Sequence, residues 1–400
     1  TGTQTIGGTF LSTAGPFPNG DVTINKSSGS VQLTAALVAT AANQDLTVTN
    51  GTFDLNGNNI TINVSTNKFI INSGGILQLQ GGETITAYTG YPQLDAGSTV
   101  TYTGTAGPYT VKNYSYKNLA INGGASSVFA LPAALSATTT ISSGILSLAG
   151  FNFTPPTFFN AGILRLQGNE ATVTVTNGMD TDSGTVEYAG RNIAETLTIK
   201  DFGATDYYNL KINDANTTKA TFAAPSNLTL AGGLDVVLGT FTAPSGAGSF
   251  NIAGDLVYSG GTFTHNSGTV TINGNADSTL NGGSGLTLNN LTVSKTAATT
   301  TAAGTITVSG SLSVSGGTLN GGTSTINISG NWPNLGSSFV ASSSTVVLNG
   351  TNQTISDANT FYNLTKNVTA TSTLTFPASA TTTVTGTLTL TGTSTGKLLL

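Results

Sequence analysis

The chain has 400 residues, with 12 Lys or Arg against 17 Asp or Glu, a single His and no Cys. Charged residues make up 7%, where an ordinary soluble domain has roughly a quarter, and the net charge of −5 gives little to bind nucleic acid or an anionic membrane surface. A Cys-free chain has no disulfide framework or thiolate metal site, and no apolar run reaches the roughly 18 residues that a membrane-spanning helix needs.

The apolar residues alternate with polar ones in short runs bounded by Gly, Asn, Ser and Asp, which is strand chemistry followed by turn chemistry. Gly2-Thr3-Gln4-Thr5-Ile6 opens the chain with a strand that returns as Gln353-Thr354-Ile355. The next strong signal is Thr99-Val100-Thr101-Tyr102-Thr103-Gly104. A second anchor follows it, Tyr116-Lys117-Asn118-Leu119. Helix formers are scarce, and the Ala-rich piece at 130–135 contains Pro132.

The first anchor recurs as Thr185-Val186-Glu187-Tyr188-Ala189-Gly190, Thr269-Val270-Thr271-Ile272-Asn273-Gly274 and Thr345-Val346-Val347-Leu348-Asn349-Gly350. The second recurs at Asn209, Asn290 and Asn363, each followed by Leu. The anchor glycines lie 86, 84 and 76 residues apart, and the Asn residues 91, 81 and 73. Approximate units are therefore 1–104, 105–190, 191–274, 275–350 and 351–400. The chain opens and closes inside repeats, so one continuous array, a window of a longer protein, is expected.

The expected fold is all-β, a parallel β-solenoid with apolar residues inward and Thr, Ser and Asn outward. Coils of about 20–25 residues give roughly 16–20 of them in a chain of this length. The alternative is a string of immunoglobulin-like β-sandwiches. The shrinking repeat favours the solenoid, because a coil stack shortens its turns where a sandwich would lose strands. Stacked Asn118, Asn209, Asn290 and Asn363 are candidates for hydrogen-bonded ladders at the corners.

These units resemble the Gly/Ser/Thr/Asn-rich repeats of large bacterial surface proteins, similar in style to filamentous-haemagglutinin-like and autotransporter-passenger β-helices. The resemblance covers nearly the whole chain and implies export and a structural or adhesive role at the cell surface, with no catalytic residues to carry over. It points to an extracellular, non-enzymatic fibre or stalk segment. Such a segment pairs with other copies through Thr/Asn-rich faces or sheet edges, with surface glycans as a further class of partner.

Three chemical readings stand beside that one. Glu170, Asp180, Asp182, Glu187, Glu195, Asp201, Asp206 and Asp214 concentrate acid in one stretch, and Asp180 and Asp182 offer closely spaced oxygens to a Ca²⁺ ion. With Arg165, Arg191, Lys200 and Lys211 nearby, the same stretch raises carbohydrate binding or cleavage. Thr-x-Thr arrays at 371–375 and 381–391 raise an ice-binding face, against which stands the lack of a fixed coil spacing. His265 reads as an exposed strand-end residue, and no other cofactor is indicated. Phe151, Phe153, Phe158 and Phe159, and likewise Tyr88, Tyr91, Tyr102, Tyr109, Tyr114 and Tyr116, break the strand rhythm and read equally as a surface loop or as core beneath a long turn.

Overall fold

A computed structural model describes residues 2–6, 20–39, 41–62 and 64–400. Among these, the strand pairs are parallel and the one helical element is the 3-10 turn Gly336–Ser338. Parallel pairing excludes the immunoglobulin-like alternative, whose sheets are antiparallel. The chain is a parallel β-solenoid of about 17 turns, and it divides into two compact units, Thr1–Asp180 and Thr181–Leu400.

In the first unit a coil carries up to three short strands, the third reduced to a single bridge at Leu135, Phe153 and Val173. Leu46, Gly51 and Ile60 open the pairing on the three sides, and their partners one coil on are Phe69, Gly75 and Ile85. The strand Leu46–Asp54 serves two faces because it bends at Gly51. There φ is 81°, and a Cβ would lie 2.6 Å from the Lys26 carbonyl oxygen, so only Gly turns this corner without strain.

The second unit repeats the plan. Its coil from 249 to 264 contributes Ser249–Ile252 to a first face, Leu256–Tyr258 to a second and Thr262–Thr264 to a third. Side chains alternate in and out along each strand. Inward positions stack on like positions of the next coil, as Phe222 does on Phe241 and Phe241 on Phe263. Trp332 is fully buried against Phe339 and Phe361, with both ring centroids 5.0 Å away. Each such side chain removed from water contributes on the order of 1.5–3 kcal/mol, which is how a chain with so few charges holds a core.

Candidate functional site

The two sequence anchors are partners. In each of the four copies the Thr that opens the first anchor pairs with the Asn that opens the second: Thr99 with Asn118, Thr185 with Asn209, Thr269 with Asn290 and Thr345 with Asn363. The anchors are therefore successive coils, one stacked on the other.

In the second unit each of these Asn residues ties coils together. Asn290 Nδ2 donates to Thr269 Oγ1 in the coil before (3.3 Å), and its Oδ1 accepts from Ser311 N–H in the coil after (2.8 Å). Asn363 does the same with Thr345 Oγ1 (3.2 Å) and Thr387 N–H (2.8 Å), and Asn209 accepts from Gly233 N–H (2.8 Å). A glycine precedes each donor of an N–H to these Asn Oδ1 atoms. A Cβ on Gly232, Gly310 or Gly386 would lie 2.4, 2.4 or 2.7 Å from the corresponding Asn Oδ1. In the first unit Asn118 Nδ2 instead donates to the Ser98 carbonyl (2.9 Å).

The anchor glycines sit where coils crowd. A Cβ on Gly104, Gly274 or Gly350 would fall 2.0–2.1 Å from a carbonyl oxygen of the preceding coil, and one on Gly190 would meet Asp214.

Within the second unit the anchor copies fall on different faces. From Thr185 the chain makes three coils along the second face, through Asn209, Leu234 and Leu256, before the next copy arrives on the first face. The copy at Thr345 lies in the sheet with Thr305 and Thr325, against the third-face strand Thr262–Thr264.

Two of the tyrosines that the sequence sets apart, Tyr102 and Tyr116, form a device that the sequence alone does not show. The Tyr102 and Tyr116 hydroxyls are 3.0 Å apart; Tyr102 accepts from Lys112 N–H (2.7 Å), and Tyr116 donates to the Lys112 carbonyl. The second unit repeats it with Tyr188 and Tyr207 (2.9 Å) around Lys200 N–H and C=O. Burial pushes the Tyr102 phenol up to about 12, and burial also raises Tyr116 and Tyr207. The signal was the Tyr two residues before the Asn in both copies, where the later copies have Leu288 and Phe361.

The acidic residues do not converge. Glu170 accepts from Gln167 N–H and Gly168 N–H (both 2.8 Å) within its own turn. Glu83 does likewise with Gln80 and Gly81 (2.6 and 2.7 Å), so the segments Leu79-Gln80-Gly81-Gly82-Glu83 and Leu166-Gln167-Gly168-Asn169-Glu170 form a repeated corner that the sequence displayed and the reading overlooked. Asp206 caps Phe202 N–H and Thr229 N–H; Asp214 caps Asn216 N–H and Ala220 N–H. Burial raises the Asp206 carboxyl above its ordinary range. Asp201 caps Gly203 N–H. Glu187 lies 3.7 Å from Lys211, and Glu195 forms an exposed ion pair with Arg191 of the kind that adds little stability.

Asp180 closes the first unit and accepts from Asn160 N–H (2.7 Å); Asp182 belongs to the second and accepts from Ser183 Oγ (3.1 Å). No group of three or more His, Cys, Asp or Glu able to hold a metal ion exists among the described residues. His265 is half-buried, with Nδ1 accepting from Ser267 N–H (3.1 Å). Lys295 and Lys366 are buried and point at carbonyls, Lys295 at Ala276 (2.9 Å) and Lys366 at Thr351 (3.0 Å), and burial lowers both ammonium pKa values. Of the Phe group, Phe153 and Phe158 pack edge to face in the core at 5.3 Å, while Phe151 and Phe159 face solvent.

A groove of about 480 Å³ in the second unit runs past Tyr208, Asn209, Asp255 and Asp277. Its two carboxylates accept from Thr279 N–H (2.7 Å) and Thr299 N–H (2.8 Å) of the following coils.

The third face of this unit presents two outward columns, one of threonine throughout and one of threonine except at Ala223. Thr196, Thr221, Thr240 and Thr262 lie in register in one column. Beside them, two residues along each strand, run Thr198, Ala223, Thr242 and Thr264. The sheet that abuts this one continues with Thr305, Thr325 and Thr345, and with Thr287 and Thr307.

Among the described residues no helix is long and apolar enough to cross a membrane. Comparison with protein-family models, with curated proteins and with solved structures gave no match.

Proposed function

We propose that this chain is a structural or adhesive segment of an extracellular surface fibre or stalk, acting by mechanical continuity rather than by catalysis. The observation that carries the reading is where its reactive groups go. Buried carboxylates cap backbone N–H groups, buried lysines face carbonyls, and Asn side chains tie one coil to the next. Groups committed in this way stiffen a coil stack and are poorly placed for turnover. The sparsely charged Thr/Asn-rich surface supports self-association with other copies or contact with surface glycans.

Displaying the segment on a non-adherent cell tests this. The expected result is cell aggregation or attachment to glycan-coated surfaces; cells that stay dispersed and unattached overturn it. Polysaccharide cleavage by the purified chain, abolished by Asp182→Ala, would overturn the non-catalytic part.

A further inference from the structure

We propose that the third face of the second unit is an ice-binding surface. The objection from sequence was irregular spacing: successive members of the first Thr column are 25, 19 and 22 residues apart. The structure removes it. The varying lengths are taken up at the corners, and the strands themselves stay in register, Thr196 on Thr221, Thr221 on Thr240 and Thr240 on Thr262.

Parallel strands place successive Thr residues about 4.8 Å apart across coils, and residues two apart on one strand about 6.6 Å apart. The result is a rectangular lattice of hydroxyls and methyls, interrupted at Ala223, which has no hydroxyl. Its two repeats are close in size to those of the water lattice on a prism face of hexagonal ice. Thr is β-branched and stiff at χ1, so each hydroxyl and methyl is held at its lattice point with little entropy left to lose.

The three faces differ in what they offer. The second carries Lys211 and Asp235 on consecutive coils, and charges hold their own hydration. The first mixes Thr, Asn and Ser, and its Asn227 accepts from Ser249 Oγ, which takes that hydroxyl out of use. On the third face no outward strand position is charged, and Thr264 and Thr287 are exposed. An uncharged, regularly spaced face complements an uncharged lattice of the same repeat. The methyls exclude disordered water from the gaps between ranks, and the hydroxyls hydrogen-bond into the ordered layer. No covalent step is involved. The proposal is independent of the fibre role, which the display assay tests by itself.

The experiment uses the whole chain and ice itself as the probe. Adsorption to a growing ice hemisphere is measured together with the gap between melting and freezing points. Three proteins are compared: wild type, the pair Thr264→Arg and Thr287→Arg, and Ser313→Arg on the first face. The wild type is expected to enter the ice and open the gap, the paired variant to lose both, and Ser313→Arg to keep both. A wild type excluded from ice overturns the proposal. So does a paired variant that still adsorbs, or a Ser313→Arg protein that loses adsorption as well. Should the arginine pair lose its β-sheet circular dichroism, the Thr264→Gln and Thr287→Gln pair takes its place with the same expected loss.

Discussion

Removing Asn290 and adding a methyl at Gly310 should each destabilise the second unit, and the two changes should partly cancel when combined. Asn290→Ala removes the 2.8 Å bond from Ser311 N–H and the 3.3 Å contact with Thr269 Oγ1. Water can reach the exposed Ser311, so the cost falls at the low end of the range for a lost partner, about 1–1.5 kcal/mol. Gly310→Ala sets a Cβ 2.4 Å from Asn290 Oδ1 and 3.0 Å from the Asn289 carbonyl. Relieving that overlap moves the Asn side chain off its bond, for a total of about 2–3 kcal/mol. In the double variant the nearer obstacle is gone, so the sum of the single losses should exceed the double loss by about 1 kcal/mol or more. Urea unfolding followed by fluorescence of Trp332, the chain's one Trp, reads all three values in the unit that holds both sites. Losses that add to within about 0.3–0.5 kcal/mol would show that Asn290 and Gly310 do not form one device.

Other outcomes follow from the buried polar groups. Tyr102 has a folded pKa of about 12 against 10.0 for a free phenol, so the unfolded chain ionises first; stability held below pH 10 is lost as pH rises toward 12, by roughly 3 kcal/mol for this group alone. Tyrosinate absorbance should rise together with loss of β-sheet circular dichroism, and ionisation of every tyrosine before any unfolding would contradict this. Glu170→Ala strips two corner N–H groups of their acceptor and should lower stability by about 2–3 kcal/mol, with Glu170→Gln recovering part of it in denaturant melts. Amine-reactive esters should modify exposed lysines of the native chain and spare Lys295 and Lys366, which are 2% and 0% exposed, until denaturant is added; peptide mass mapping reads this directly.

The fold was legible because period-two alternation and Gly/Asn punctuation survive any change in turn length. Coil length was harder to see. The paired anchors are separated by 19, 24, 21 and 18 residues, and a period that varies this much is hidden beneath the longer one. The same variation concealed the Thr columns, since only the register shows that Thr221 and Thr240 are neighbours. The roles of the acidic stretch were hidden for a different reason. Whether an Asp faces solvent or a backbone N–H depends on how its corner turns, and Asp206 and Asp214 turn inward to cap the chain. Asn118, Asn209, Asn290 and Asn363 were found by recurrence, and their partners were not, because Gly232, Gly310 and Gly386 lie a further coil away.

The drift of the anchor pair from face to face bears on how such an array can lengthen. A copied segment spanning three coils and two of the three sides of a fourth cannot be inserted without rotating everything after it by a third of a circuit. Three successive insertions restore the starting orientation. Growth by copying would therefore spread any new surface feature around the circumference, and a side that keeps one chemistry over many coils must be maintained position by position.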